Sequence, residues 1–258
     1  QRQMCIRDRN EVKEKDEQEN IYPYRMERGY RVNQAKGLIA LGLFKDYDDI
    51  RNSPKQTFGN YMPGDIKYKD VNGDGIIDDQ DQVAVGATTV PNLVYGIGVS
   101  AQWKGLDVNV HFQGAGKSSF FIDGEGVRPF ASGNRGNFYQ EVIDGRWISK
   151  EESGTIATEN PHAKYPRLSY GYNDNNNRNS SYWLRNGSYL RLKTLEVGYT
   201  LPKKIVNRIH FNNIRIYMIG TNLITWSKFK MWDPEMNSSN GATYPLAKSV
   251  TVGLNVNL

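Results

Sequence analysis

Cysteine is almost absent from this sequence. Cys5 is the single example in 258 residues, so no disulfide framework can form within the chain. Long apolar runs are also missing. No stretch approaches the ~18 consecutive apolar residues that a spanning helix needs, and the mean hydropathy is −0.66. That excludes a helical membrane protein but not a barrel, whose strands are apolar on alternate residues only. Histidine occurs at His111, His162 and His210, too far apart for metal-ligand spacing. Charge is not concentrated either. The net +5 is scattered, with Lys203-Lys204 the notable adjacent pair, whereas a nucleic-acid binder gathers its basic residues into a stripe. No nucleic-acid partner is expected.

Catalytic sets are missing too. Asp107 and His111 share a strand face and could hydrogen-bond, but no Ser or Cys completes a nucleophilic set. Glu151-Glu152 reads as a pair of solvated acids in a polar loop. Gly114-Ala115-Gly116-Lys117-Ser118 lacks the full spacing of a phosphate loop. The chain is not expected to be an enzyme. Residues 1–9 have no apolar core and no cleavage site, so they are not a signal peptide. They read as sequence foreign to the fold, which is expected to occupy residues 10–258.

What is present is period two. From Leu93 the odd positions are apolar through Trp103 (Leu93, Tyr95, Ile97, Val99, Ala101). After Lys104-Gly105 the even positions take over: Leu106, Val108, Val110 and Phe112. Alternation on both sides of a tight Gly-containing turn predicts a β-hairpin. Residues 189–200 form another strand whose phase shifts near residues 193–195, which predicts a bulge. Residues 214–223 and 249–258 are further strands, the last with Val250, Val252, Leu254, Val256 and Leu258 on one face. Residues 30–44 are expected to be a strand and residues 46–52 a short helical turn. Residues 114–187 and 224–248 lack sustained periodicity and read as long loops. Each long connection falls at one end of the strands and each short turn at the other, as in bacterial barrels with long extracellular loops and short periplasmic turns. The last strand runs to residue 258, and a barrel commonly closes on such a strand. The fold class is therefore all-β: part of an antiparallel transmembrane β-barrel with long extracellular loops.

Residues 70–81 (DVNGDGIIDDQD) follow the spacing of a calcium loop. Calcium takes six to eight oxygens from a flexible loop. Asp70, Asn72 and Asp74 supply side-chain oxygens, Ile76 its carbonyl, Asp78 a water-mediated contact and Asp81 the last carboxylate. Gly75 permits the sharp turn, and Ile77 is an apolar anchor. The plainer reading is an Asp/Asn/Gly turn without metal. Flanking residues 67–68 and 83–85 look extended, so the loop is expected to join strands. Trp147, Trp183, Trp226 and Trp232 lie in or beside the long loops. Stacking on sugar rings is one role for them, and loop packing or an interfacial aromatic belt is the other. Trp103 and Tyr199, at the short-turn ends of strands, fit such a belt.

Several motifs together resemble the SusC/RagA family of TonB-linked outer-membrane proteins. They are GDIKYKDVNGDG at residues 64–75 with IDD at 77–79, WLRNGSYLRLK at 183–193, LEVGYTLP at 195–202, GTNLITW at 220–226, WDPE at 232–235 and VG at 252–253. The resemblance runs from about residue 30 to residue 258. It implies the C-terminal part of a large plugged barrel in the outer membrane of a Gram-negative bacterium. It further implies import of glycans, or of peptides, with a SusD-like surface lipoprotein as lid and TonB as the energy source. The plug, the TonB-contacting segment and most strands are not in this sequence. Two other readings compete: a secreted calcium-stabilised β-sandwich that binds carbohydrate, and a passive porin.

Overall fold

The computed structural model describes residues 5–7, 11–17, 22–130, 138–154, 159, 162–236 and 238–257. The first strands in chain order are short: β1 (Cys5–Arg7), β2 (Gln34–Gly37), β3 (Ala40–Leu43), β4 (Lys55–Gln56), β5 (Ile66–Tyr68), β6 (Ile76–Ile77) and β7 (Val83–Thr88). Two long ones follow, β8 (Leu93–Trp103) and β9 (Leu106–Gly116), then the short β10 (Ser119–Phe121) and β11 (Leu184–Asn186). The chain finishes with β12 (Tyr189–Thr200), β13 (Asn213–Ser227) and β14 (Ser249–Asn257).

The long strands make one antiparallel sheet in the order β1-β8-β9-β12-β13-β14. Lys104 and Gly105 both have positive φ (47° and 87°), the geometry of the tight two-residue hairpin turn expected there. Lys193 is the extra residue of a bulge against β9; against β13 the register shifts at the same place, but there the extra residue lies on β13, at Asn222–Leu223. The bulge keeps Leu192 and Leu195 on one face although their parity differs. Of the segment expected to be foreign to the fold, only Cys5–Arg7 is described, and its backbone pairs with Leu93–Tyr95.

Residues 30–44 are not one strand. They split into β2 and β3, and each short strand finds a different partner, β7 and β5 respectively. The helical turn forms at Tyr47–Arg51, capped by the Asp46 side chain accepting from Asp49 N at 2.8 Å.

The hydrophobic core does not lie on the sheet. It lies in the segments outside the long strands: Leu38, Ile66, Tyr68, Ile77, Ile122, Val127, Val142, Tyr165 and Trp183 are each at most 1% exposed. Residues 114–187 therefore do more than loop. They contain β10 and β11, paired to each other, and two short helices, Gln140–Asp144 and Lys150–Ser153.

Candidate functional site

The register of the sheet sorts its side chains into two faces. One row runs Ala101, Val108, Val197, Met218, Val252, and the next runs Trp103, Leu106, Tyr199, Ile216, Leu254. On the opposite face the rows run Ser100, Asn109, Glu196, Ile219, Thr251 and Gln102, Asp107, Gly198, Tyr217, Gly253. The apolar face is bare. Val250, Val252 and Leu254 are 64%, 71% and 60% exposed, and Val99 is 59% exposed. A buried Val or Leu gains roughly 1.5–3 kcal/mol over an exposed one. These side chains gain none of that in water, so the face needs an apolar cover. No helix among the described residues is long and apolar enough to cross a membrane, which says nothing of the strands. At 9 to 15 residues they reach the ~9–11 that a tilted spanning strand needs.

The opposite face carries an ion cluster. Arg215 on β13 reaches across β12 to Asp107 on β9, with Nε 3.1 Å from Oδ1, and contacts Glu196 Oε1 at 2.6 Å. Gly198 lies between them, and a Cβ there would collide with the guanidinium. Asp107 is thus committed to Arg215 rather than to His111, with which it shares a strand face. Tyr217 likewise lies over Gly253, its register partner on β14.

At the end of the sheet from which the long connections leave, the recognised motifs meet. Asp65, within residues 64–75, is fully buried. It accepts from Met62 N at 2.9 Å, Arg167 Nη2 at 3.0 Å and Asn176 Nδ2 at 2.7 Å. Burial pushes its carboxyl above the usual range; Arg167, the Met62 N–H and Asn176 pull it back only in part. The Asn176 side-chain oxygen accepts from Ile66 N at 2.9 Å, and Asn175 Nδ2 donates to Ile66 O at 2.9 Å. Gln56 donates to Ile66 O at 3.0 Å and accepts from Tyr68 N at 2.7 Å. The Tyr68 hydroxyl donates to Asn175 O at 2.6 Å, and Trp183 Nε1 donates to Asn176 O at 2.6 Å. Burial pushes the Tyr68 hydroxyl well above its ordinary range. Amide side chains here satisfy buried backbone groups that no regular sheet pairs. Nothing in the residue pattern of 173–179 announced this, because buried asparagines follow no apolar period. The other motifs join in the same way. Arg191, 1% exposed, holds Asp233 at 2.5 Å and Glu235 at 3.2 Å, tying residues 183–193 to residues 232–235.

The acidic loop docks onto this assembly. Ile77 is buried, as its role of anchor requires, and β6 pairs in parallel with β4. Arg178 pairs with Asp79. The residues expected to ligate calcium also close the loop by hydrogen bonds. Asp70 accepts from Gly73 N at 2.7 Å and Gly75 N at 2.8 Å. The Asn72 side-chain oxygen accepts from Asp74 N at 3.1 Å, and Asp74 accepts from Ile76 N at 2.8 Å. Asp78 accepts from Gln80 N at 2.7 Å, and the buried Asp81 accepts from Val71 N at 2.7 Å and Asp78 N at 2.9 Å. Among the described residues, no three acidic, His or Cys side chains come together as a metal cluster.

The four tryptophans separate. Trp147 (7% exposed) and Trp183 (1%) are core residues, so neither presents a ring face for stacking, and the expectation of a ligand contact gives way to packing. Trp147 packs on Gly64, and Arg128 lies 5.0 Å over the Trp183 ring. Trp232 packs edge-on to Phe229 at 4.7 Å, and its Nε1 donates to Ser238 O at 3.1 Å. Trp226 stands 47% exposed on β13, 6.3 Å from Phe112.

The fold and its two faces define an all-β protein built on an open antiparallel sheet with an uncovered apolar side. No family model matches the chain. It is 31% identical over 242 residues to TonB-dependent receptor P26 of Formosa agariphila, which covers 88% of the chain and 23% of the relative. It is 26% identical to TonB-dependent receptor P3 of the same organism, over 84% of the chain and 22% of the relative. The chain thus spans about a quarter of the length of the curated relatives it matches. Among solved structures, the RagAB peptide transporter superposes with a TM-score of 0.61 at 20% identity, over 88% of this chain and 23% of that one. The RagAB peptide importer in its closed-closed state gives 0.58 at 18% identity. The resemblance to SusC/RagA-type TonB-dependent receptors, drawn from the motifs, is borne out over most of the chain.

Proposed function

We propose that this chain forms part of the wall and outer loops of a TonB-dependent transporter in the outer membrane of a Gram-negative bacterium. The observation that carries this reading is the bare apolar face, continuous across β8, β9, β12, β13 and β14 and backed by a polar, ion-paired face. Lipid covers the first face, and the barrel interior lies behind the second. A β-sandwich would place a second sheet over the apolar rows; among the described residues none does. The cargo is a glycan or a peptide, taken up with a SusD-like surface lipoprotein and energised through TonB. The family resemblance supports the first cargo class, and the likeness to the RagAB peptide transporter supports the second. No covalent chemistry is involved: binding, closure and release move the cargo.

The test uses single cysteines in the full-length protein, in a Cys5→Ser background. Val252→Cys and Thr251→Cys are labelled with an environment-sensitive fluorophore in native outer membrane. Lipid-borne quenchers should quench position 252 and spare position 251. Equal quenching, or the reverse, sinks the membrane-wall reading.

Calcium at the acidic loop is a second proposal, supported by its spacing and its oxygen donors, Asp70, Asn72, Asp74, the Ile76 carbonyl, Asp78 and Asp81. A carboxylate oxygen that accepts one N–H keeps a second lone pair. Binding requires the side chains to turn toward a common point, which Gly73 and Gly75, both at positive φ, make feasible. Melting should rise by several degrees with calcium over chelator and not with magnesium. Identical melts would remove the ion from the account.

A further inference from the structure

We propose that the short-turn end of the sheet is a binding surface for anionic phospholipid headgroups; this rests on the membrane-wall reading above. Two turns form that end. The Lys104-Gly105 hairpin and the connection after β12 are hydrogen-bonded together, Thr200 N donating to Gly105 O at 2.7 Å. They bring Lys104, Lys203, Lys204 and Arg208 to one end of the molecule, all exposed. None of the four has an ion-pair partner among the described residues. The carboxylates on the flanking strand ends, Asp107 and Glu196, are both taken by Arg215. Among the described residues, four cations without an ion-pair partner therefore gather at this end, against the one net negative charge left where Arg215 meets Asp107 and Glu196.

Its position makes the cations specific to a lipid headgroup. They stand directly beyond the apolar rows, next to Trp103 (69% exposed) and Tyr199 (41%). Trp and Tyr with one apolar and one polar side settle at the depth of the headgroups. Lys104 Nζ lies 4.8 Å from the centroid of the Trp103 ring, so cation and ring form one amphipathic unit. Ile205, 50% exposed between Lys204 and Arg208, adds an apolar contact among the charges. A soluble acidic partner would meet the charges and leave the aromatics and Ile205 in water. A phosphodiester at the edge of a bilayer meets both.

The experiment has two steps, both on the full-length protein in mild detergent. Flotation with phosphatidylcholine vesicles comes first. Failure to float overturns the membrane-wall reading and this proposal with it. Native mass spectrometry then compares retention of phosphatidylglycerol and phosphatidylcholine by the parent protein and by Lys104→Gln/Lys203→Gln/Lys204→Gln/Arg208→Gln. Each cation near an anionic surface strengthens attraction about fivefold, so the parent should prefer phosphatidylglycerol by at least tenfold and the variant should lose that preference. A protein that floats but shows no headgroup preference overturns this proposal alone. So does a preference that survives the four substitutions. Single reversal variants such as Lys104→Glu guard against a general loss of folding, and each should weaken the preference several-fold.

Discussion

Removing the Asp65 carboxylate should open the loop assembly while leaving the sheet intact. Asp65 has no exposed surface and accepts from two asparagines, a backbone N–H and the guanidinium of Arg167, whose Nε also lies 2.9 Å from its Oδ1. Asp65→Ala leaves those donors facing a hole. Breaking a buried ion pair from one side costs about 3–5 kcal/mol. Arg167 retains 19% of its side-chain exposure and can recover some hydration, which places the expectation at the low end, about 3 kcal/mol. That corresponds to a roughly hundredfold rise in local opening. Amide hydrogen exchange on the full-length protein reads it directly. Ile66 and Tyr68 should lose about two orders of magnitude of protection, while Val197 and Ile219 in the sheet should keep theirs. The double variant Asp65→Ala/Arg167→Met removes both charges and should be less damaging than the single one, because no unpaired guanidinium remains. Unchanged exchange at Ile66 and Tyr68 in Asp65→Ala, or a double variant worse than the single, would refute the reasoning.

Gly64 has φ +87°, and a Cβ there would collide with the Trp147 ring. Gly64→Ala should destabilise the same assembly by roughly 2–4 kcal/mol, from left-handed strain plus overpacking, seen as a lower denaturant midpoint. Gly198→Ala should cost less, because the obstructing atoms belong to the flexible end of Arg215; its mark should be faster exchange around Asp107 and Glu196. Asp49 gives a pH prediction. Burial pushes its carboxyl up, but hydrogen bonds from Lys67 and from Lys45 N pull it further down, so it ends below the usual range. The stability it contributes is present above the unfolded value near ~3.9 and is lost as pH falls through the folded value. Asp49→Asn should therefore flatten the acid limb of a stability-against-pH curve. Asp65, held above the usual range by burial, works in the other direction: its contribution is complete below ~3.9 and declines as pH rises through the folded value.

The sheet was legible because period two is a direct consequence of strand geometry. Leu93–Trp103 and Tyr189–Thr200 begin and end where alternation does, and the phase slip near Lys193 marked the bulge. The short helix at Tyr47–Arg51 falls within the helical turn expected at residues 46–52. The loop assembly was not. Its buried groups include Asp65, Gln56, Asn175, Asn176 and Ser180, which read as solvent-facing by composition. Side-chain amides that bond to backbone have no required spacing, so no period betrays them. Trp147 and Trp183 follow the packing role rather than the stacking one, and their local sequence alone could not choose between the two. The motifs at residues 64–75, 183–193 and 232–235 carried a family resemblance without revealing that Asp65, Trp183, Arg191 and Asp233 meet at one end of the sheet.

That meeting explains why the chain needs two environments. The loop assembly has a core that water can drive together: Leu38, Ile66, Ile77 and Ile122 are sealed, each worth roughly 1.5–3 kcal/mol. The sheet has no such core, since the polar face is ion-paired and the apolar face is uncovered. Its outermost strand β14 also ends the sheet among the described residues, so the backbone groups on its outer side have no neighbour. Bare apolar rows and an open edge are an aggregation hazard in water. In a bilayer the rows gain a solvent, and the edge gains stability only if further strands pair with it. The loops, by contrast, keep their internal hydrogen bonds wherever the sheet is placed. Arg191 joins the two parts: it projects from β12 of the sheet and is sealed at 1% exposure by Asp233 and Glu235 of the loops. The loop assembly can therefore hold a fixed shape over the strands only when the register of β12 is correct, and the bulge at Lys193, two residues away, sets that register.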